Sequence, residues 1–270
     1  MLEPHRLDLR VEELKALIRF LETITGRGFD QEKFIQVMEL VNEQEDYLRK
    51  VRDLIAATVP CPVGLVDQLP ATMNLQWHRG TEWGRDMARK FYEEVRSRVK
   101  QGKAAWPQEK LRLMWIGAGL WHDTAFYQFF ERQYGAVFVS SIYLSIAADG
   151  YARKIKGDPL RALASRHLSM RDLIYDPRWL LKEARLHRVN GAVMVISPAC
   201  VGEVGRRLIR RTFEQAGIPV LTLYADVVDA REWDEEAVKR KMTTFIESRL
   251  LKGRGKSFQP ERKGVGHELG

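Results

Sequence analysis

Apolar residues in the first hundred positions recur with a helical period. Val11, Leu14, Leu17, Ile18 and Leu21 form one stripe, which Gly26 and Gly28 end. Asp30 is placed to cap a second helix carrying Phe34, Val37, Met38, Val41, Tyr47, Leu48 and Val51, stopping near Ala57 before Pro60 and Pro62. The pair reads as an α-hairpin whose role is packing. Pro60 to Pro70 reads as a turn-rich connection. Thr81 to Gln101 resumes as a helix with Trp83, Met87, Phe91, Val95 and Val99 on one face, and Trp77, His78 and Trp83 read as packing aromatics. Gly102 to Pro107, small and polar with a breaker at its end, is a linker that closes a helical segment spanning 1–106.

From Lys110 the rhythm changes. Short runs rich in β-branched and aromatic residues (Leu111–Ile116, Ala136–Val139, Gly191–Ile196, Ile218–Tyr224) alternate with helical patterns. The helices are predicted over His122–Tyr134 with Gly135 as its C-cap, from Asp158-Pro159 onward, over Trp179–Arg188, over Val201–Gln215, and over Glu235–Lys252 behind the capping Asp234. Strands separated by helices require crossover connections, so they run parallel. The expectation is an α/β domain over 107–252, a doubly wound, flavodoxin-like parallel sheet of about four strands. Residues 253–270 are rich in Gly, Lys and Glu and are expected to be a disordered tail.

Parallel topology places four connections on one edge of that sheet, where open α/β sheets bind ligands. They are the stretches 117–122, 140–143, 197–200 and 225–229. Gly117-Ala118-Gly119 is followed by His122 where a dinucleotide fingerprint needs its third glycine, so the stretch reads as a tight turn rather than a nucleotide loop. Cys200 follows Pro198 after the third strand, at the expected mouth of a helix. It can be a small apolar filler, a nucleophile served by His122 or His167, or a single metal thiolate. Cys61, in a proline turn, reads as structural. Asp226 ends the last strand or orients a substrate, and Asp229 and Arg231 can pair. Trp121, Phe126 and Tyr143 suit a planar ligand or a core.

Composition narrows the class. With 270 residues, 45% hydrophobic and 30% charged, the chain can bury a real core. No run approaches the roughly 18 apolar residues of a membrane span, and the N-terminus lacks a signal-peptide layout. Two cysteines make no disulfide framework, which points to a reducing cytoplasm. The net charge of +8 is spread out. Its densest cluster, Arg206-Arg207 with Arg210-Arg211, covers a solvated helix face, so neither nucleic acid nor membrane is expected as a partner.

Several phrases, taken in order, resemble the subunits of the benzoyl-CoA reductase and 2-hydroxyacyl-CoA dehydratase family. They are Leu21-Glu22 to Thr25-Gly26-Arg27, Asn42-Glu43, Phe129-Phe130-Glu131 to Tyr134-Gly135-Ala136, Asp158-Pro159-Leu160-Arg161, Val189-Asn190-Gly191-Ala192-Val193 leading to Cys200, Gly217-Ile218-Pro219-Val220-Leu221 to Asp226, and Phe245-Ile246-Glu247. Gly119-Leu120-Trp121 and Ala147-Ala148-Asp149-Gly150-Tyr151 look closest to the benzoyl-CoA reductase branch. The resemblance implies a cytoplasmic, heterodimeric enzyme that reduces or dehydrates an acyl-CoA thioester by radical chemistry. It also implies an iron–sulfur cluster and a separate ATP-dependent activator protein. Cys200 stands where the family has its last cluster cysteine, and Trp121, His122, Tyr143 and Asp226 are the expected substrate-binding residues. The family's N-terminal α/β domain and a cysteine after the second strand have no counterpart here. One thiolate cannot hold a [4Fe–4S] cluster, so its other ligands are expected from outside this chain, from a homologous subunit or a polypeptide supplying the missing domain. The alternative is a cluster-free CoA-binding or scaffold relative without catalytic activity of its own.

Overall fold

The computed structural model describes residues 4–148, 157–165, 176–197 and 205–252. Four strands, β1 (Leu111–Ile116), β2 (Ala136–Ser141), β3 (Gly191–Ile196) and β4 (Val220–Tyr224), form one sheet in the order β2-β1-β3-β4, every pair parallel. This is the expected doubly wound α/β sheet. β1, β2 and β3 are almost wholly buried, as strands covered on both faces must be, while the edge strand β4 is only partly so.

Side-chain alternation divides the core in two. Leu111, Leu113, Trp115, Phe138, Val193 and Val195 point to one face, covered by α5 (Ala125–Tyr134) and α10 (Glu235–Phe245, continued by a π-helical turn Ile246–Leu251). Met114, Ile116, Val137, Val139, Ala192 and Met194 point to the other, covered by α8 (Pro177–Leu186) and α9 (Arg206–Gln215). On that second face Leu48, Val51 and Ile55 of α2 (Gln31–Ala57) and Ala88 and Val95 of α4 (Glu82–Lys100) join the same buried cluster. The helical segment therefore shares its core with the sheet.

Local signals set most boundaries. Asp30 accepts the Lys33 N–H at 2.8 Å, Thr81 the Gly84 N–H at 3.0 Å and Asp234 the Ala237 N–H at 2.8 Å, each an N-cap bond. Gly135 closes α5 in the left-handed region, at φ 62°. Asp158 accepts the Leu160 N–H where the helical residues 159–165 (α7) begin.

Several expectations need correction. Pro60–Pro70 is not simply a connection, because α3 runs from Leu65 to Trp77 with Pro70 inside it. Leu65, Leu69, Thr72 and Leu75 lie buried along its inner face, and that burial outweighs the one hydrogen bond that proline removes. The 140–143 stretch is not a loop, since β2 continues to Ser141 and α6 (Ile142–Ala148) follows at once. α1 (Pro4–Thr25) and α2 do not pack as a hairpin; α2 lies instead along α4 and α6. Among the described side chains of α1 only Val11 is buried, while Leu17, Phe20, Leu21 and Ile24 are exposed. Trp77 and Trp83 are likewise exposed rather than packed between layers. Among the described residues, α9 starts at Arg206 behind a left-handed Gly205 (φ 89°), and residues 201–204 of the helix expected from Val201 lie outside the described residues. The predicted tail lies outside the described residues. Among the described residues no helix is long and apolar enough to cross a membrane.

Candidate functional site

β1 leads to β2 on one side and β3 leads to β4 on the other, so the strand order reverses between β1 and β3. The C-terminal ends of these two strands flank the crevice where doubly wound sheets bind ligands. Gly117 shows how close the β1 connection runs to β3: it has φ 125°, and a Cβ there would lie 2.9 Å from the Val195 carbonyl oxygen. Only glycine fits that turn, as the sequence suggested.

Aromatic side chains fix the β1 connection. The Trp115 indole N–H donates to the Ala118 carbonyl at 2.8 Å. The Gly119 N–H donates to the Tyr143 hydroxyl oxygen at 2.8 Å, and the Leu120 N–H to that of Tyr127 at 3.0 Å. Burial pushes the Tyr127 hydroxyl pKa up, so it stays a neutral, permanent anchor. Backbone polar groups that would otherwise need solvent are thereby satisfied inside the fold.

The four predicted substrate-binding residues come together on this edge. Trp121 and Tyr143 stand edge to face with ring centroids 5.7 Å apart. His122 places Nε2 3.4 Å from the Asp226 carbonyl oxygen, a contact that favours a proton on that nitrogen. The Asp226 carboxylate accepts the backbone N–H of Asp229 at 2.9 Å and of Val228 at 2.8 Å, and these bonds hold its pKa below the usual carboxylate value. Asp226 thus shapes the turn after β4. Asp229 pairs with Arg231 at 2.6 Å, as expected.

Two residues that sequence reasoning missed stand beside His122. The Trp233 ring lies 5.5 Å from the imidazole and 5.4 Å from Phe126. Its indole N–H is buried with no protein acceptor among the described residues, as is Asp123 Oδ2 with no donor. Asp123 also accepts the Phe126 N–H just ahead of α5, which starts at Ala125 rather than at the expected His122. An aromatic just before a helix cap carried no chemical signal in sequence.

Cys200 belongs to the β3–α9 connection, whose residues 198–204 lie outside the described residues. Cys61 is fully buried and donates its thiol to the Val63 carbonyl at 3.1 Å. Burial pushes this thiol up to about 12, so it is not a ready thiolate. Among the described residues no group of three or more His, Cys, Asp or Glu side chains could hold a metal ion. These residues do not form the ligand set of an iron–sulfur cluster.

Comparison with known proteins decides the family. The model of the family described as "2-hydroxyglutaryl-CoA dehydratase, D-component" matches residues 2–248. The chain belongs to this family. Among curated relatives it is 26% identical, over 222 residues, to the (R)-phenyllactyl-CoA dehydratase alpha subunit of Clostridium sporogenes, covering 81% of this chain and 53% of the relative. It is 21% identical, over 248 residues, to the (R)-2-hydroxyisocaproyl-CoA dehydratase alpha subunit of Clostridioides difficile, covering 90% and 60%. The chain thus spans little more than half the length of these relatives. Both are dehydratase subunits and lend no particular support to the benzoyl-CoA reductase branch.

Proposed function

We propose that this chain is the α-type component of a 2-hydroxyacyl-CoA dehydratase, working with a partner subunit to remove water from a 2-hydroxyacyl-CoA thioester. The observation that carries the reading is the family match over nearly the whole chain. The edge geometry supports it. Trp121 and Tyr143 supply an aromatic wall, His122 an imidazole able to hold or pass a proton, and the pinned 117–123 turn a fixed frame for both.

Iron–sulfur dependence and an ATP-hydrolysing activator belong to the proposal. Cys200 is its cluster ligand in this chain, and the remaining ligands come from outside it, because Cys61 is sealed in the core. A cluster-free CoA-binding scaffold is the second reading, favoured by that same burial, which takes one of the chain's two thiols out of ligand duty.

The test is anaerobic co-production with a partner subunit of the same family. Iron content and conversion of an (R)-2-hydroxyacyl-CoA to the enoyl-CoA are then measured with ATP and an activator. Dehydration that depends on this chain supports the assignment. Acyl-CoA binding without dehydration in the complete mixture rejects it for the scaffold reading.

A further inference from the structure

A groove of about 550 Å³ opens on the outer edge of the sheet, between β4 and α10. It lies away from the loops of the candidate site, near the start of β4. Val220, Leu221 and Phe245 give it an apolar floor, while Arg240, Lys241 and Arg249 stand around it. Among the described residues no carboxylate lines it. None of these three cations forms an ion pair among the described residues, although the adjacent Lys239 is tied to Glu235 at 2.5 Å. β4 is the last strand of the sheet, so no further strand covers this edge among the described residues.

Three unpaired cations around an apolar floor suit a ligand with several phosphates and a flat ring. The volume falls within the roughly 300–1,000 Å³ of small-molecule sites. Guanidinium groups bind phosphate oxygens in pairs, and an adenine can lie on aliphatic and aromatic carbon. The position along the strand matters as much. From Leu221 to Asp226 the chain advances five residues, about 17 Å at the rise of an extended strand. A pantetheine arm spans such a distance between the nucleotide head of coenzyme A and its thioester. We propose that the β4–α10 groove anchors the 3′-phospho-ADP head of the acyl-CoA, so that the arm runs along the sheet edge and delivers the thioester to the His122–Asp226 end. This rests on the dehydratase reading for its substrate class.

Coenzyme A binding to the full chain is measured by isothermal titration calorimetry. The variant Arg240→Gln/Lys241→Gln/Arg249→Gln changes only exposed side chains, and a circular dichroism spectrum checks its fold. It is expected to bind coenzyme A at least tenfold more weakly. An equal charge removal on α4, Arg89→Gln/Lys90→Gln/Lys100→Gln, is expected to leave binding within about twofold. Removing the 3′-phosphate, with 3′-dephospho-CoA as probe, weakens binding to the wild type but not further to the groove variant. Coenzyme A binding equal in wild type and groove variant, or weakened as much by the α4 variant, overturns the anchor while leaving the dehydratase assignment intact. No coenzyme A binding by the wild-type chain also overturns it, and the dehydration assay then judges the assignment separately.

Discussion

The two edges of the sheet are built on opposite principles. At the N-terminal edge, buried charge ties the chain together. Arg112 enters β1 almost fully buried and donates to the carbonyls of Ile55 at 2.8 Å, Thr58 at 2.9 Å and His187 at 2.7 Å, and to Glu109 at 3.1 Å. Arg188 takes the neighbouring carbonyls of Ala56 and Ala57 at 3.1 and 2.7 Å. Two arginines thus satisfy the carbonyls that the end of α2 leaves open, and Arg112 also binds the end of α8. At the C-terminal edge no such network recurs among the described residues. Aromatic hydroxyls and an indole pin the backbone there and leave Trp121 half exposed. The contrast puts the buried charged ties at one edge and the aromatic, partly exposed surface of the proposed site at the other.

The sharpest way to break that division is Arg112→Met. It leaves Glu109 buried without its cation and strips three carbonyls, so a loss of about 3–5 kcal/mol in denaturant unfolding is expected. A loss below 1 kcal/mol would show that the N-terminal edge does not hold the fold. Gly117→Ala tests the other side. The left-handed backbone and the Val195 contact predict a cost of about 1–3 kcal/mol, with displacement of the 117–123 turn and loss of substrate turnover. Tyr143→Phe removes one pin, at about 1 kcal/mol, and loosens amide exchange at Gly119.

Glu131, also buried away from the site, supplies a pH test. Burial raises its carboxyl to about 7, with Asp67 adding to the effect. The folded state therefore holds its proton more tightly than the unfolded chain. Its contribution is fully favourable below the unfolded value of 4.5 and is lost as pH rises through 7. Glu131→Gln is expected to raise the melting temperature relative to wild type at pH 8 and to lose that advantage at pH 4.5. An advantage independent of pH would contradict the burial of an ionisable group there. The smallest effect is expected for His122→Ala, within about 0.5 kcal/mol of wild type in stability, while turnover by the assembled complex falls.

The sequence disclosed what local chemistry decides. Asp30, Asp234 and Gly135 are caps that act within a few residues, and all were legible. Parallel strands and the edge they address followed from alternation alone, and with them the meeting of Trp121, His122, Tyr143 and Asp226. What escaped depends on distant partners. Pro70 looked like a breaker because its compensating burial comes from β2, α5 and α6. Arg112 looked like an ordinary strand residue, since its carbonyl partners lie 54 to 75 positions away. The α1 stripe predicted a hairpin because periodicity reveals an apolar face without naming what covers it.

The central claim is that the proposed dehydratase chemistry belongs to the C-terminal edge of the sheet and needs Cys200. Cys200→Ser in the anaerobically assembled complex tests it most directly, read by bound iron, dehydration rate and melting temperature together. The account predicts that iron and dehydration are both lost while the chain remains folded and associated with its partner. Dehydration at the wild-type rate with iron retained would contradict it.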